Sequence, residues 1–406
     1  MRLETDGLGQ LEIADNKLYG VQTARAIACV SFSGSRLADY PDLIKNLALV
    51  KKAAAAANAD AKSITDKQAQ LITLACDELI KGKHPEQFPV DMLHGGGYIA
   101  INQNINELIA NLANLIEGQS PGSYSPVHPK EHVNCGQSTA DVCHTAVRLT
   151  VRNRADSLLE SLNNIVFAFA LKKMQFGPII TLARTCLQDA MPVSLGDTFS
   201  AYESFVRRRI KSLSSAIELA SKVNLGGTVI GNGDGASAIY RQKVLLHLST
   251  FCKLEIQNRE NLFDAAQNID DLATVSSELR ILAEGLIKIS KDLRLLSSGP
   301  KAGFGEIRLP ATQEGSSFFP GKVNPVIPET LIHACIFVLG ADRVVQAAFE
   351  HAELNLNVLE SSAAKALLDA LSLLKGSIDI FVNLCVNDID VNHVKCAANV
   401  ASLKSK

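Results

Sequence analysis

The chain has 406 residues and a net charge of −2, with 47% apolar and 20% charged residues. That balance describes a globular domain and excludes sequence-independent attraction to nucleic acid or an anionic membrane surface. Trp is absent and aromatics make up only 5%, so stacking platforms for bases or sugars are not expected.

A chain of this length accommodates two or three domains with a sizeable core. It carries nine cysteines, Cys29, Cys76, Cys135, Cys143, Cys186, Cys252, Cys335, Cys385 and Cys396, an odd number without a CxxC pair. The opening Met1-Arg2-Leu3-Glu4-Thr5-Asp6 is polar, and no stretch reads as a membrane span. These features indicate a reduced, cytoplasmic protein with free thiols. No His/Cys/Asp spacing suggests a metal, and no cofactor is expected.

Residues 1–139 read as a mixed, largely helical N-terminal domain. Leu43–Ala61 is helical, with Asp39-Tyr40-Pro41-Asp42 as its start, acidic residues lying at the positive helix end. From about residue 140 long helices take over, and 140–394 reads as one helical-bundle domain. Leu272, Val275, Leu279, Leu282, Leu286, Ile289, Leu293 and Leu296 recur at alternating spacings of three and four, a heptad seam. Asp270 or Asp271 can cap it, and Gly299-Pro300 ends it. Further seams are Val206, Ile210, Leu213, Ile217, Ala220 and Leu367, Leu371, Leu374, Ile378, Phe381, Cys385. Pro328 opens another helix, expected to reach about Leu359. Ala273, Ile281, Ala283, Ile287 and Leu295 are apolar outside the first seam. A stripe this wide points to neighbours on more than one side, hence to an oligomer rather than a monomeric bundle.

Four Gly-rich or polar segments interrupt the helices: 95–107, 132–141, 183–192 and 315–325. Gly231-Asn232-Gly233-Asp234-Gly235 lacks the Gly-Lys-Ser/Thr of a nucleotide loop. In the fourth segment, Gly315 and Gly321 permit unusual backbone angles, and Pro320 and Pro325 bracket two serines, a lysine and an asparagine. Consecutive N–H groups there could cradle an anion. A surface connection with capping serines is the alternative.

Gly315-Ser316-Ser317-Phe318-Phe319-Pro320-Gly321-Lys322-Val323-Asn324-Pro325 resembles the signature loop of the aspartase/fumarase superfamily. Leu18-Tyr19-Gly20-Val21-Gln22-Thr23, Asn224-Leu225-Gly226-Gly227-Thr228, Leu296–Pro300, Glu306–Pro310 and Glu353–Val358 are similar to that family as well, in order along nearly the whole chain. Val326-Ile327-Pro328-Glu329 is nearer to the aspartate ammonia-lyases (aspartases) than to the fumarases. The resemblance implies an all-α, long-helix fold in which each subunit gives five helices to a twenty-helix tetramer core. It implies active sites shared by three subunits and a small dicarboxylate substrate. Ser316 would be the general base of a fumarate-forming β-elimination that passes through an aci-carboxylate. Lys322, Asn324 and Thr185 would bind one substrate carboxylate, and Ser138, Thr139 and Ser317 the other. For Ser138 and Thr139, helix capping is the alternative role.

Four positions depart from the family text. Ala140 stands where an asparagine contacts the leaving amino group, and Ile99 where a threonine touches substrate. Cys186 stands where His is frequent, although its usual partner Glu329 remains. Phe318-Phe319 replaces Ile-Met. Ile99, Ala140, Cys186 and Glu329 are thus expected pocket-lining residues, with a shifted substrate or weakened activity. Residues 395–406 read as the remnant of a family C-terminal domain. Fumarate hydration and a catalytically reduced paralogue with a binding or structural role are the competing expectations.

Overall fold

Twelve helices make up most of residues 1–403, which the computed structural model describes. They are α1 (Val21–Cys29), α2 (Pro41–Asp60), α3 (Asp66–Ile80), α4 (Ile99–Ile116), α5 (Thr139–Phe176), α6 (Leu195–Leu219), α7 (Ala238–Cys252), α8 (Leu262–Gln267), α9 (Asp270–Leu296), α10 (Val326–Glu350), α11 (Glu360–Leu384) and α12 (His393–Leu403). Strands are confined to small ribbons: the antiparallel hairpins β1 (Arg2–Asp6) with β2 (Gly9–Ile13) and β3 (Ile180–Thr185) with β4 (Gln188–Ser194), and two-residue pairings. The expected all-α, long-helix architecture is observed. Two compact units are present: Met1–Asn153 with Glu218–Ala273 and Val344–Ala366, and Arg154–Ile217 with Thr274–Arg343 and Leu367–Lys406.

In the first unit, α2 begins with Pro41 at its first position and Asp42 in its first turn, both favourable there. It packs against α3 and α7. The small side chains of Ala53, Ala54, Ala55 and Ala57, all buried, let these backbones approach closely. Thr65 and Gln68 form a capping box at the start of α3: the Gln68 N–H donates to Thr65 Oγ1 at 3.2 Å, and the Thr65 N–H to Gln68 Oε1 at 2.9 Å.

Helix α4 buries a row of polar residues at helical spacing. Asn104, Asn111 and Asn114 donate to the carbonyls of Gln87, Leu18 and Val127. Glu107 accepts from the N–H groups of Gly20, Gln22 and Thr23 and from the Thr23 hydroxyl. A Cβ on Gly20 would stand 2.8 Å from the Glu107 carboxyl carbon, so only glycine fits beside it. The polar face of α4 thereby satisfies irregular loops that would otherwise bury unpaired backbone groups.

Arg148 is completely buried and centres an ionic cluster. Its Nε and NH2 meet the two Asp271 oxygens at 2.7 and 2.9 Å, and NH1 meets Glu360 Oε1 at 2.9 Å. Arg259 reaches the same Asp271 at 2.9 Å, and His144 Nδ1 lies 3.0 Å from Glu360 Oε2. The Arg148 and His144 charges hold Glu360 at about 2 against desolvation, and Arg148 and Arg259 hold Asp271 below its ordinary range.

In the second unit the heptad positions do what their spacing requires. Val275, Leu279, Leu282, Leu286, Ile289 and Leu293 of α9 are buried, as are Leu367, Leu371, Leu374, Ile378 and Phe381 of α11. Other large apolar side chains are left uncovered by this chain: Phe167 and Met174 of α5, Ile336 and Phe337 of α10, and Leu373 and Leu384 of α11.

Two sequence expectations need correction. Helix α10 stops at Glu350 rather than near Leu359. The chain turns back because Asn357 donates from its side chain to the Ala348 carbonyl at 3.1 Å and from its backbone to the Ala266 carbonyl at 3.1 Å. Helix α10 is also long and apolar enough, at a mean hydropathy of 1.5, to cross a membrane, whereas no such stretch was expected; 33% of its most apolar window is buried within the chain. It carries Asp342, which accepts from Ser276 Oγ at 2.7 Å.

Removing one member of a buried ion cluster strands the others. Arg148→Met should lower stability by about 3–5 kcal/mol, read as a lower urea midpoint at unchanged slope. Glu360 is depressed on folding, so its stabilisation is complete above its ordinary value of 4.5 and is lost as pH falls through about 2. Wild-type acid unfolding should show that loss, and Glu360→Gln should remove it.

Candidate functional site

Ser138, Thr139 and Ala140 form the start of α5, in the first unit. Ser138 is a helix cap, as one of its two expected roles required: its Oγ accepts from the Ala140 N–H at 3.2 Å, and its own N–H donates to Asp141 Oδ1 at 2.9 Å. Asp141 is wholly buried and also takes the N–H groups of Gly226 and Thr228 at 3.0 and 3.2 Å. Burial outweighs those donors and pushes its carboxyl up to about 6.

Below this turn lies a cluster of amides. Asn134 Oδ1 accepts from Lys51 Nζ at 2.9 Å, Asn102 Nδ2 at 3.1 Å and Asn106 Nδ2 at 3.2 Å. Asn102 Nδ2 also donates to Thr139 Oγ1 at 3.0 Å, which ties α4 to the turn. Gln137 accepts from Lys51 at 3.0 Å and donates to the carbonyls of Val133 and Cys135. His132 holds the preceding helical turn, its Nδ1 accepting the His128 N–H at 2.8 Å. Burial lowers its pKa and keeps the ring neutral.

Ile99 opens α4 one turn before Asn102 and is 48% exposed, presenting hydrocarbon at this edge. Before it, Gly96, Gly97 and Tyr98 all have positive φ. Tyr98 pays for that conformation with burial: it is 6% exposed, and its hydroxyl has no partner. Tyr98 and Lys51 were not singled out as site residues from the sequence. Lys51 was detectable, because it falls on the buried face of α2 between Leu47, Val50 and Ala54.

The remaining residues lie in the second unit. The third segment, which interrupts the helices as expected, forms most of the hairpin β3–β4. Thr185 and Gln188 pair across a two-residue turn in which Cys186 and Leu187 have φ of 54° and 60°, the left-handed pair of a tight hairpin. Thr185 and Cys186 are exposed at its tip. The hairpin is anchored by Arg184, whose NH2 meets the buried Glu306 at 2.5 Å and whose guanidinium lies over Phe304. Glu306 also accepts from Thr181 and Asn399.

Ser316, Ser317, Lys322 and Asn324 share one loop, closed on itself. The Gly315 N–H donates to the Lys322 carbonyl at 2.8 Å, and Asn324 Nδ2 to the Gly315 carbonyl at 2.7 Å. A Cβ on Gly315 would fall 2.4 Å from the Lys322 oxygen, so this closure demands glycine. Ser316 Oγ accepts two backbone N–H groups, from Phe318 at 3.1 Å and Phe319 at 3.0 Å. Lys322 is exposed, and Phe318 stacks edge-on against Phe319. Glu329, in the first turn of α10, pairs with Arg294 at 3.1 Å. Within this unit no hydrogen bond joins the hairpin tip to the loop among the described residues.

Chemically, the loop offers a hydroxyl whose oxygen already faces two N–H dipoles, with a cation six residues on. The α5 start offers hydroxyls at a positive helix end. Both suit an anionic ligand.

A sequence family described as lyase matches residues 9–340. An aspartate ammonia-lyase of Helicobacter pylori (strain J99) is 41% identical over 98% of this chain and 85% of its own length. That of Escherichia coli (strain K12) is 36% identical over 98% and 84%. Among solved structures, a cobalt-bound fumarate lyase:delta crystallin from Brucella melitensis superposes with a TM-score of 0.96 at 40% identity, covering 98% of this chain and 86% of that one. The class II fumarase of Schistosoma mansoni gives 0.94 at 31% identity, with 98% and 86% covered.

Asn324→Ala removes the side-chain strut of the loop without touching its serines. It should speed proteolytic nicking between residues 315 and 322 while leaving the melting temperature nearly unchanged, as limited proteolysis beside a thermal scan would show.

Proposed function

The chain belongs to the aspartase/fumarase superfamily of lyases, and from that premise we propose that it catalyses fumarate-forming β-elimination from aspartate or a related succinyl compound, with Ser316 as general base. The observation that carries this reading is the pair of N–H donors on Ser316 Oγ. A serine hydroxyl is too weak an acid to serve as a base unless its anion is stabilised where it forms. Two aligned amides supply such stabilisation, and the Lys322 ammonium in the same loop adds to it.

The alkoxide takes the proton beside one substrate carboxylate, and the electron pair moves onto that carboxylate as an aci-carboxylate dianion. Ser138, Thr139 and Ser317 hold these oxygens and favour the added charge. Lys322, Asn324 and Thr185 hold the other carboxylate. Collapse of the dianion forms the double bond and expels the leaving group. Loop closure removes water and strengthens each of these contacts.

The uncovered apolar side chains of α5, α10 and α11 support burial against further copies of the chain. In this reading the protein is a cytoplasmic homotetramer whose sites draw the α5 start, the hairpin tip and the loop from three subunits. Residues 1–139 and 140–394 are its functional domains.

Ile99 and Ala140 offer the leaving group no hydrogen bond, which favours a less polar group than ammonia. The same loss supports a second reading, a catalytically reduced paralogue that binds without turnover. Cys186 at an exposed hairpin tip, in place of histidine, stands against fumarate hydration.

Purified protein given L-aspartate, or N-substituted aspartates, should raise the ultraviolet absorbance of fumarate. Ser316→Ala should lower kcat by about 10³-fold or more. No signal from any succinyl substrate by an intact oligomer would sink the lyase reading. Ala140→Asn restores an amide toward the leaving group and should raise kcat/KM for aspartate roughly 10- to 150-fold, the worth of one hydrogen bond to a charged group. An unchanged ratio would show that Ala140 does not set substrate choice.

A further inference from the structure

We propose that Lys51 is a positioning residue whose buried ammonium braces the Asn134–Thr139 turn and supplies positive charge behind the substrate carboxylate held there. The proposal rests on the dicarboxylate reading above, and it concerns a residue that touches no substrate.

Lys51 is 0% exposed, yet it makes no ion pair among the described residues. Its Nζ meets only neutral amide oxygens, Asn134 Oδ1 at 2.9 Å and Gln137 Oε1 at 3.0 Å. Retaining an ammonium without an ion-pair contact in a protein interior is costly. A methionine would fill similar space without that cost. Among the groups facing it, Asp141 carries the opposing charge, and it acts through space rather than by contact. From α5, Asp141 spends its oxygens on the N–H groups of Ser138, Gly226 and Thr228. Cys143 of α5 and Cys76 of α3 are thiols that burial keeps protonated, Cys76 at about 12. Tyr240 of α7 is likewise held protonated by burial.

The amide cluster is rich in acceptors. Asn102 Oδ1 and Asn106 Oδ1 are buried without partners beside the shared Asn134 oxygen. These acceptors offset part of the cost of an ammonium, which has three donors to an amine's two. From Lys51 the hydrogen bonds run through Asn134 and Asn102 to Thr139 Oγ1. The charge therefore lies behind the oxygens that the proposed mechanism loads with negative charge. An anion bound at that turn adds to the negative potential that favours the ammonium.

Desolvation lowers Lys51 to about 7. At pH 8 the free enzyme thus holds it largely as the amine, and an arriving dianion draws a proton onto it. Succinate is the probe, since it has both carboxylates and no leaving group. Calorimetric titration of succinate at pH 8, in buffers of different ionisation enthalpy, reads proton uptake directly. Wild type should take up a fraction of a proton. Lys51→Met should lose the uptake and bind roughly tenfold more weakly or worse, and Lys51→Arg should recover affinity.

A Lys51→Arg variant that binds succinate no more tightly than Lys51→Met overturns the proposal. So does a Lys51→Met variant that binds with wild-type affinity and uptake. Succinate binding with proton uptake, in a protein that eliminates no substrate, overturns the lyase reading alone. Failure of wild type to bind succinate overturns both.

Discussion

Asp141 is a carboxylate with no salt bridge, and the geometry around the α5 start depends on it. It collects the N–H groups of Ser138, Gly226 and Thr228, backbone from two separate segments, at one buried point. Those segments have no helical or sheet partners for these N–H groups, and burying them unpaired would cost free energy comparable to a lost hydrogen bond for each. One acidic side chain in the first turn of a long helix satisfies all three. It leaves the hydroxyls of Ser138 and Thr139 beside a positive helix end.

The same solution recurs at other irregular segments. Glu107 gathers the loop at Gly20–Thr23, and Glu306 gathers Arg184, Thr181 and Asn399 beneath the β3–β4 hairpin. Asn134 gathers Lys51, Asn102 and Asn106. Helices supply rigid positions, and single buried polar side chains pin the loops to them. The signature loop differs, because it is closed by its own backbone and Asn324 and carries exposed Phe318 and Phe319. A segment held from within, rather than pinned to a core, can move as a unit, as a lid must.

The departures at Ile99, Ala140 and Cys186 leave these pinning contacts untouched. Asn102 still reaches Thr139, and Ser138 still caps α5. On the proposed reading, the scaffold can change what it presents to a leaving group without disturbing these contacts, since the two jobs fall to different side chains.

The helices were legible because heptad spacing reports which side chains must leave water. Leu279, Leu286 and Leu371 are buried as their positions required. The loop around Ser316 was legible as a loop because its glycines and prolines interrupt the helices, while the role given to it came from resemblance to the family text. Three things were not. The turn at 351–359 depends on Asn357 reaching carbonyls at Ala348 and Ala266, residues that periodicity does not connect. The β3–β4 hairpin turns on two left-handed residues, Cys186 and Leu187, neither a glycine or asparagine that would signal it. The seating of the Lys51 ammonium on the amides of Asn134 and Gln137, rather than on an acid, is a property of its surroundings alone. Local pattern determined the helices, their buried faces and the chemistry-bearing loop, since each is set by neighbours within a few turns. Only the tertiary structure decided which buried polar group satisfies which distant backbone, because hydrogen bonds form by position in space and sequence spacing does not encode it.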